Sequence, residues 1–379
     1  MHYCDHNATS PLRPEARAAM EHALTLGGNP SSVHAAGRAA RASIEAARIQ
    51  VAALIGARIE DVIFTSGGSE ANMLALRGAI DGALEAGTRF TRLFVSAIEH
   101  DSVSANAVTA AEHVAGLRLD TLAVNSDGVI DLEALRVALC EGKGQALIAV
   151  MAANNETGVV QPLAEIFALV KEAGALLFVD AIQAAGKISF GAAVADYLSL
   201  SAHKLGGSQG VGALIVREGA PFAAQIRGGG QERGRRAGTE NVSGIAGFGA
   251  AADAAGKSKQ TSTLRDRFES ELKRAAPEAV IFGAHTPRLP NTSNFALPGI
   301  ASESAVMALD LDGVMVSSGS ACSSGKVKPS HVLQAMGVND DLAACALRVS
   351  FGWNSAEADA DAVISSLLKL RTRIRARAA

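Results

Sequence analysis

Val62-Ile63-Phe64-Thr65-Ser66-Gly67-Gly68-Ser69-Glu70 holds three local preferences in one short stretch. Four β-favouring residues read as a strand, two glycines as a turn, and Ser69 as the start of a helix. The helical pattern continues, Ala-rich and amphipathic, over 70–86. Working outward, apolar runs of strand length recur at Leu93-Phe94-Val95-Ser96, Leu147-Ile148-Ala149-Val150, Leu176-Leu177-Phe178-Val179, Tyr197-Leu198-Ser199-Leu200 and Ala213-Leu214-Ile215-Val216. Helical stretches fall between most of them, over 102–115 and 162–173, with Pro162 where a first turn tolerates proline. Continuous apolar strands interleaved with helices predict an α/β fold with a mostly parallel sheet covered on both faces. Beyond Gly256 the polar Lys257-Ser258-Lys259-Gln260 reads as a link. Helices over 264–275, 302–309 and 355–373 then mix with short strands over 280–283, 293–297, 314–317 and 347–351. The predicted division is a large domain over 15–256 and a smaller α+β domain built from 1–14 and 257–379.

Composition excludes several classes. The 379 residues carry a net charge of -3, which argues against a basic nucleic-acid binder. Aromatics at 4% argue against stacking as the main activity. Four cysteines without a CxxC pair are neither a disulfide scaffold nor a zinc or dithiol centre, so any cysteine that matters does so singly. Met1-His2-Tyr3-Cys4-Asp5 does not read as a signal peptide, and the apolar run over 146–153 is far short of the ~20 residues that span a bilayer. The expectation is a cytoplasmic protein with no membrane and no nucleic-acid partner.

Three motifs carry candidate chemistry. Gly67-Gly68-Ser69 at a helix start presents backbone N–H groups suited to phosphate, although an ordinary strand–helix turn has the same pattern. Asp180, closing the run Phe178-Val179, could hold a cationic ring nitrogen or merely cap a helix. Lys204, in Ser201-Ala202-His203-Lys204 before a Gly-rich loop, is placed to form a Schiff base, where neighbouring cations or desolvation would lower its pKa. A phosphate cradle, a carboxylate for a pyridinium and a Schiff-base lysine, each at a strand end, are together the parts needed to hold pyridoxal 5'-phosphate.

These stretches, with Gly28-Asn29-Pro30-Ser31-Ser32, Glu99-His100, Asn154-Asn155-Glu156-Thr157-Gly158, Gln231-Glu232-Arg233-Gly234-Arg235-Arg236-Ala237-Gly238-Thr239 and Ser320-Ala321-Cys322-Ser323-Ser324-Gly325, recur in order along the chain. In them the sequence resembles the cysteine desulfurases of the class V aminotransferase family, the NifS/IscS type, over nearly its whole length. The resemblance implies the fold type I of pyridoxal-phosphate enzymes. It implies that Lys204 carries the cofactor, Asp180 pairs its ring nitrogen, Gln183 and Asn155 meet the ring hydroxyl, and His100 stacks on the ring and moves protons. Gly68, Ser69, Ser201 and His203 would hold the phosphate, and Thr239 the phosphate of a neighbouring subunit, which implies a homodimer. Arg348, assisted by Asn29, would clamp the carboxylate of L-cysteine, and Cys322 in the small domain would be the nucleophile. The implied activity is a sulfurtransferase: L-cysteine becomes L-alanine, and sulfur remains as a persulfide on Cys322. A sulfur acceptor or iron–sulfur scaffold would receive it, with Cys322 a candidate cluster ligand. Selenocysteine lyase, class V transaminase and non-catalytic regulator are the rival readings on the same fold.

The chain departs from the family pattern at His6, Ser69, Ala202, Ser208 and Gln209. No resident metal is expected, since His2, Cys4, Asp5 and His6 lack a ligand spacing. Cys140 and Cys345 read as core packing, and His34 as structural. Gly319 to Lys326 lacks the spacing and hydroxyl of a P-loop. The RGG-like stretch over 227–236 reads as part of the subunit-spanning loop. The basic tail at Lys369, Arg371, Arg373, Arg375 and Arg377 reads as a solvated helix end.

Overall fold

A computed structural model describes residues 1–141, 144–257, 262–318 and 330–378. The chain begins with β1 (His2–Tyr3) and then builds a central sheet from β2 (Val62–Thr65), β3 (Phe90–Ser96), β4 (Arg118–Leu122), β5 (Gln145–Met151), β6 (Leu176–Asp180), β7 (Tyr197–Ser201) and β8 (Gly212–Val216). The sheet order is β2-β8-β7-β6-β5-β3-β4. Every neighbouring pair is parallel except the two made by β8, which runs against both β2 and β7. The strands β2, β7, β6, β5 and β3 therefore all end at one edge. The predicted strands are all present, and β8 is the reversed member.

Helices cover both faces because the strands are apolar on both. Ile148, Val150, Leu177 and Val179 pack into one core with the helices Ala35–Ile55 and Val242–Gly256. Leu147, Ala149 and Phe178 pack into the other with Gly68–Glu85 and Asp101–His113. Small residues permit close helix contact here: a Cβ at Gly249 would lie 2.5 Å from the Cα of Ala47. His34 caps Ala35–Ile55 by accepting from the Gly37 N–H, in keeping with a structural role.

The C-terminal part forms an antiparallel sheet from β9 (Val280–Ile281), β10 (Thr292–Ala296), β12 (Ser317–Ser318) and β13 (Ala346–Ser350), in the order β12-β13-β10-β9. The strand predicted over 314–317 is two. β11 (Val314–Met315) leaves to pair in parallel with β1, so the N-terminus joins this part of the fold. Helices Ser262–Ala275, Ser302–Leu311 and Glu357–Ala378 pack on it around Phe268, Phe295 and Phe351.

Two details differ from expectation. β4 has no counterpart in the sequence reading: it is an edge strand, Arg118-Leu119-Asp120-Thr121-Leu122, that buries only Leu122 and lacks an apolar run. Cys140 is exposed rather than core, because Leu132–Cys140 buries only Leu135 and ends with the cysteine on its open side. Cys345 and Cys4 are buried, and burial pushes the Cys4 thiol up to about 12. No helix is long and apolar enough to cross a membrane among the described residues.

Candidate active site

The shared sheet edge opens into a cavity of about 270 Å³. Each strand ending there delivers part of its lining. Following β2, Gly68 and Ser69 open the helix Gly68–Glu85. β7 ends in Ser201, with His203 and Lys204 just beyond. β6 ends in Asp180 with Gln183 just beyond, β5 leads to Asn155, and β3 leads to His100. Arg348 enters from β13, and Asn7 and Ala8 from the N-terminal segment. Parallel strands ending at one edge bring these distant residues together, the usual place for ligands in such sheets.

Close backbone approach shapes the turn after β2. A Cβ at Gly68 would lie 2.4 Å from Ile182 Cδ1, so glycine lets this helix start meet the segment after Asp180. Gly212 on β8 is equally tight, with a Cβ 2.6 Å from the carbonyl carbon of Gly67.

Asp180 is buried among donors. Its Oδ1 accepts from the Ile182 N–H at 3.0 Å and its Oδ2 from Asn72 Nδ2 at 2.8 Å. Burial raises its proton affinity; these bonds and the charges of His100 and Lys204 oppose that without reversing it. A cationic ring nitrogen is the partner such a carboxyl lacks. Asn72 also donates to Ser102 Oγ at 2.9 Å, and Ser102 Oγ lies 2.8 Å from His100 Nδ1. Nδ1 accepts from the Ser102 N–H as well, at 3.1 Å. With its Nδ1 taken as an acceptor, neutral His100 carries its proton on Nε2.

Lys204 Nζ donates to the carbonyls of Asn7 at 2.6 Å and Ala8 at 2.8 Å. His203 Nδ1 is 3.0 Å from Thr9 Oγ1, and burial, then the Lys204 charge, lowers its pKa to about 4. It is a neutral ring at pH 7. Arg348 donates from Nη1 to the Asn155 carbonyl at 3.0 Å and from Nη2 to Asp5 Oδ1 at 2.7 Å. Its Nε is buried and has no hydrogen-bond partner among the described residues.

Two expected site residues lie elsewhere. Asn29 is exposed, its side chain accepting from the Ser31 N–H at 2.8 Å. Thr239 is exposed in a separate cleft with Ser66, Glu232 and Arg236. Cys322 lies outside the described residues. The chain on either side of it does approach the site. Ser317 pairs with Arg348 across β12 and β13, Ser330 Oγ donates to buried Glu156 at 2.5 Å, and His331 Nε2 lies 2.9 Å from the Glu99 carbonyl.

The sequence reading missed Asn7, Asn72 and Ser102. Asn7 follows the His6 departure, Asn72 lies one helical turn inside its helix, and Ser102 is the second residue of its own. The arginines over 227–236 are tied internally: Arg227 to Glu85, Arg235 to the Glu60 carbonyl, Arg236 to Glu70. In the tail, Lys369 meets Asp312 and Arg371 meets Glu278.

The donor set fits pyridoxal phosphate: a helix start with hydroxyls for a phosphate, a buried carboxylate for a ring nitrogen, and a lysine amine for an aldehyde. Comparison with known proteins agrees. A cysteine desulfurase of Cereibacter sphaeroides is 43% identical over 381 residues, covering 99% of this chain and 96% of that protein. The solved NifS-like protein of Rickettsia africae is 32% identical with a TM-score of 0.86, covering 98% of this chain and 99% of that one. SspA, solved in complex with cysteine, is 28% identical with a TM-score of 0.82 over 94% of this chain and all of its own. The sequence profile of class V aminotransferases matches residues 2–363, and with the cavity at the shared strand ends it carries the conclusion that this chain belongs to that family.

Proposed function

We infer that the protein is a pyridoxal-phosphate-dependent cysteine desulfurase. It acts as a cytoplasmic homodimer and passes sulfur to an acceptor such as an iron–sulfur scaffold. The observation that carries this reading is the convergence of Lys204, Asp180, Arg348 and a phosphate-type helix start on one cavity. The large domain over 15–256 holds the cofactor, and 1–14 with 257–379 form the part bearing Cys322. When bound, pyridoxal phosphate supplies an electron sink that weakens bonds at the substrate's Cα and its Cβ–S bond.

The chain's own groups do the rest. Gly68, Ser69, Ser201 and neutral His203 hold the phosphate, and Thr239 reaches the phosphate of a second copy. Gln183 and Asn155 face the ring hydroxyl. Arg348 holds the substrate carboxylate through charge-assisted bonds that orient the molecule. Lys204, released from the Asn7 and Ala8 carbonyls, offers its amine lone pair. His100 holds a proton at Nε2, kept there by the two bonds to Nδ1. The Cys322 thiolate attacks the substrate sulfur: the S–S bond forms, the Cβ–S bond breaks, and its electron pair stays with the carbon skeleton, which takes up a proton and leaves as alanine. Sulfur delivery is favoured over selenocysteine cleavage or transamination because the relatives carry the desulfurase name.

The test is direct. The protein loaded with pyridoxal phosphate should show a visible band, and borohydride should fix the cofactor to the Lys204 peptide. L-Cysteine should yield alanine and sulfide without a keto acid. Lys204→Ala should abolish the band and the turnover. Cys322→Ala should keep the band and lose persulfide. Full sulfide release by Cys322→Ala, or a keto-acid requirement, would overturn the reading.

A further inference from the structure

A second lysine lies behind the cavity. Lys187 follows the β6 turn and borders a small adjoining hollow with His6, Arg13 and Trp353. Its amine sits deep and donates to Gln183 Oε1 at 2.7 Å and Asn7 Oδ1 at 3.0 Å. Gln183 Nε2 donates to the Asn7 carbonyl at 2.9 Å. That carbonyl can only accept, so it takes the amide NH2 group, and the amide oxygen must turn to Lys187. A primary amine supplies both required hydrogens whether or not it is protonated. The amide is locked with one N–H committed to Asn7 and the other left for the cavity that Gln183 lines. The same Asn7 carbonyl holds Lys204 Nζ at 2.6 Å, so Lys187 braces both residues through one asparagine.

The charged and titratable groups facing Lys187 are Lys204, Arg348, His6 and Arg13. They come from the segment after β7, from β13 and from the N-terminal segment, and are all basic. Burial, then Lys204 and Arg348, hold the Lys187 amine well below the ordinary lysine range.

We propose that Lys187 is a positioning residue for the cofactor: it fixes Gln183 as a hydrogen-bond donor to the ring oxygen and braces Asn7 behind Lys204. The proposal rests on the pyridoxal-phosphate reading above. A donor to that oxygen stabilises it as an anion, and so favours the deprotonated form of the Lys204–cofactor linkage. Removing the donor should raise the pH at which the linkage loses its proton.

The experiment is a spectrophotometric pH titration of the loaded protein, with no substrate present. Lys187→Met should move the midpoint of the visible band upward by about one pH unit, the size of effect a lost hydrogen bond or nearby charge produces. It should also weaken cofactor binding, measured by dialysis against pyridoxal phosphate. Lys187→Arg, which keeps a donor for both oxygens, should restore most of the midpoint. If Lys187→Met does not fold, Lys187→Ala, which also carries no side-chain donor, reads the same shift. An unmoved midpoint in a variant that merely melts earlier would overturn the proposal and leave the function reading intact. A wild-type chain that gains no visible band would overturn both.

Discussion

Glu232→Gln tests how the loop carrying Thr239 is held. Both Glu232 and Arg233 stand at positive φ, 46° and 58°, a conformation that costs about 1 kcal/mol or more for each non-glycine residue. What opposes that cost is a buried ion pair. Glu232 accepts from Arg48 Nη1 at 2.7 Å and Nη2 at 2.9 Å, and from the Phe64 N–H at 2.9 Å. The two side chains are only 5% and 2% exposed. A glutamine would set an NH2 group against N–H donors and leave Arg48 buried. Removing one partner of a buried pair costs roughly 3–5 kcal/mol. Arg48 retains half-exposed Glu45 at 3.2 Å and the Val62 carbonyl at 3.0 Å, so the lower end, about 3 kcal/mol, applies. Urea unfolding followed by circular dichroism measures it. Arg48→Met combined with Glu232→Gln should be less destabilised than the sum of the single variants, because it leaves no unpaired charge. A loss below about 1 kcal/mol for Glu232→Gln, or strict additivity, would refute the reasoning.

Ser102→Ala removes the hydroxyl between Asn72 and His100 Nδ1, and so loosens the ring that holds its proton on Nε2. One neutral hydrogen bond is worth about 1 kcal/mol, so kcat/KM for cysteine should fall about fivefold with the cofactor band unchanged; an unaltered rate would remove His100 from proton handling. Acid should destabilise the fold through His6, whose pKa is lowered by burial, then by Lys187, from 6.5 to about 4. The unfolded state then binds more protons, so this contribution is complete above pH 6.5 and is lost as pH falls toward about 4. It amounts to about 3 kcal/mol from the pKa difference. His6→Asn should flatten that part of the pH–stability curve, and an unchanged slope would contradict it.

Much of the site was legible because its parts are local. Gly67-Gly68-Ser69, Asp180 and His203-Lys204 each sit at the end of an apolar run, and in a parallel sheet strand ends become neighbours. Other features left no local signal. β4 pairs with β3 although only Leu119 and Leu122 of its five residues are apolar and only Leu122 is buried, since an edge strand needs only one neighbour and one covered face. The run over 314–317 is continuous in sequence but divides at Val316 between two sheets, because β1 competes for its first half. Cys140 shares an apolar composition with its helix but not its buried face.

Residue order by itself determined the α/β architecture, the candidate cofactor residues and the family resemblance, because strand runs, glycine turns and chemical motifs are written in neighbouring residues. Tertiary structure alone decided which supporting groups meet them. Asn7 reaches Asn155, Gln183, Lys187, Thr292 and Ser350, all more than a hundred residues away. No period or motif encodes such contacts. They arise because β1 pairs with β11 and carries the N-terminus across to the cavity, where Asn7 is 1% exposed and each of its polar groups needs a partner.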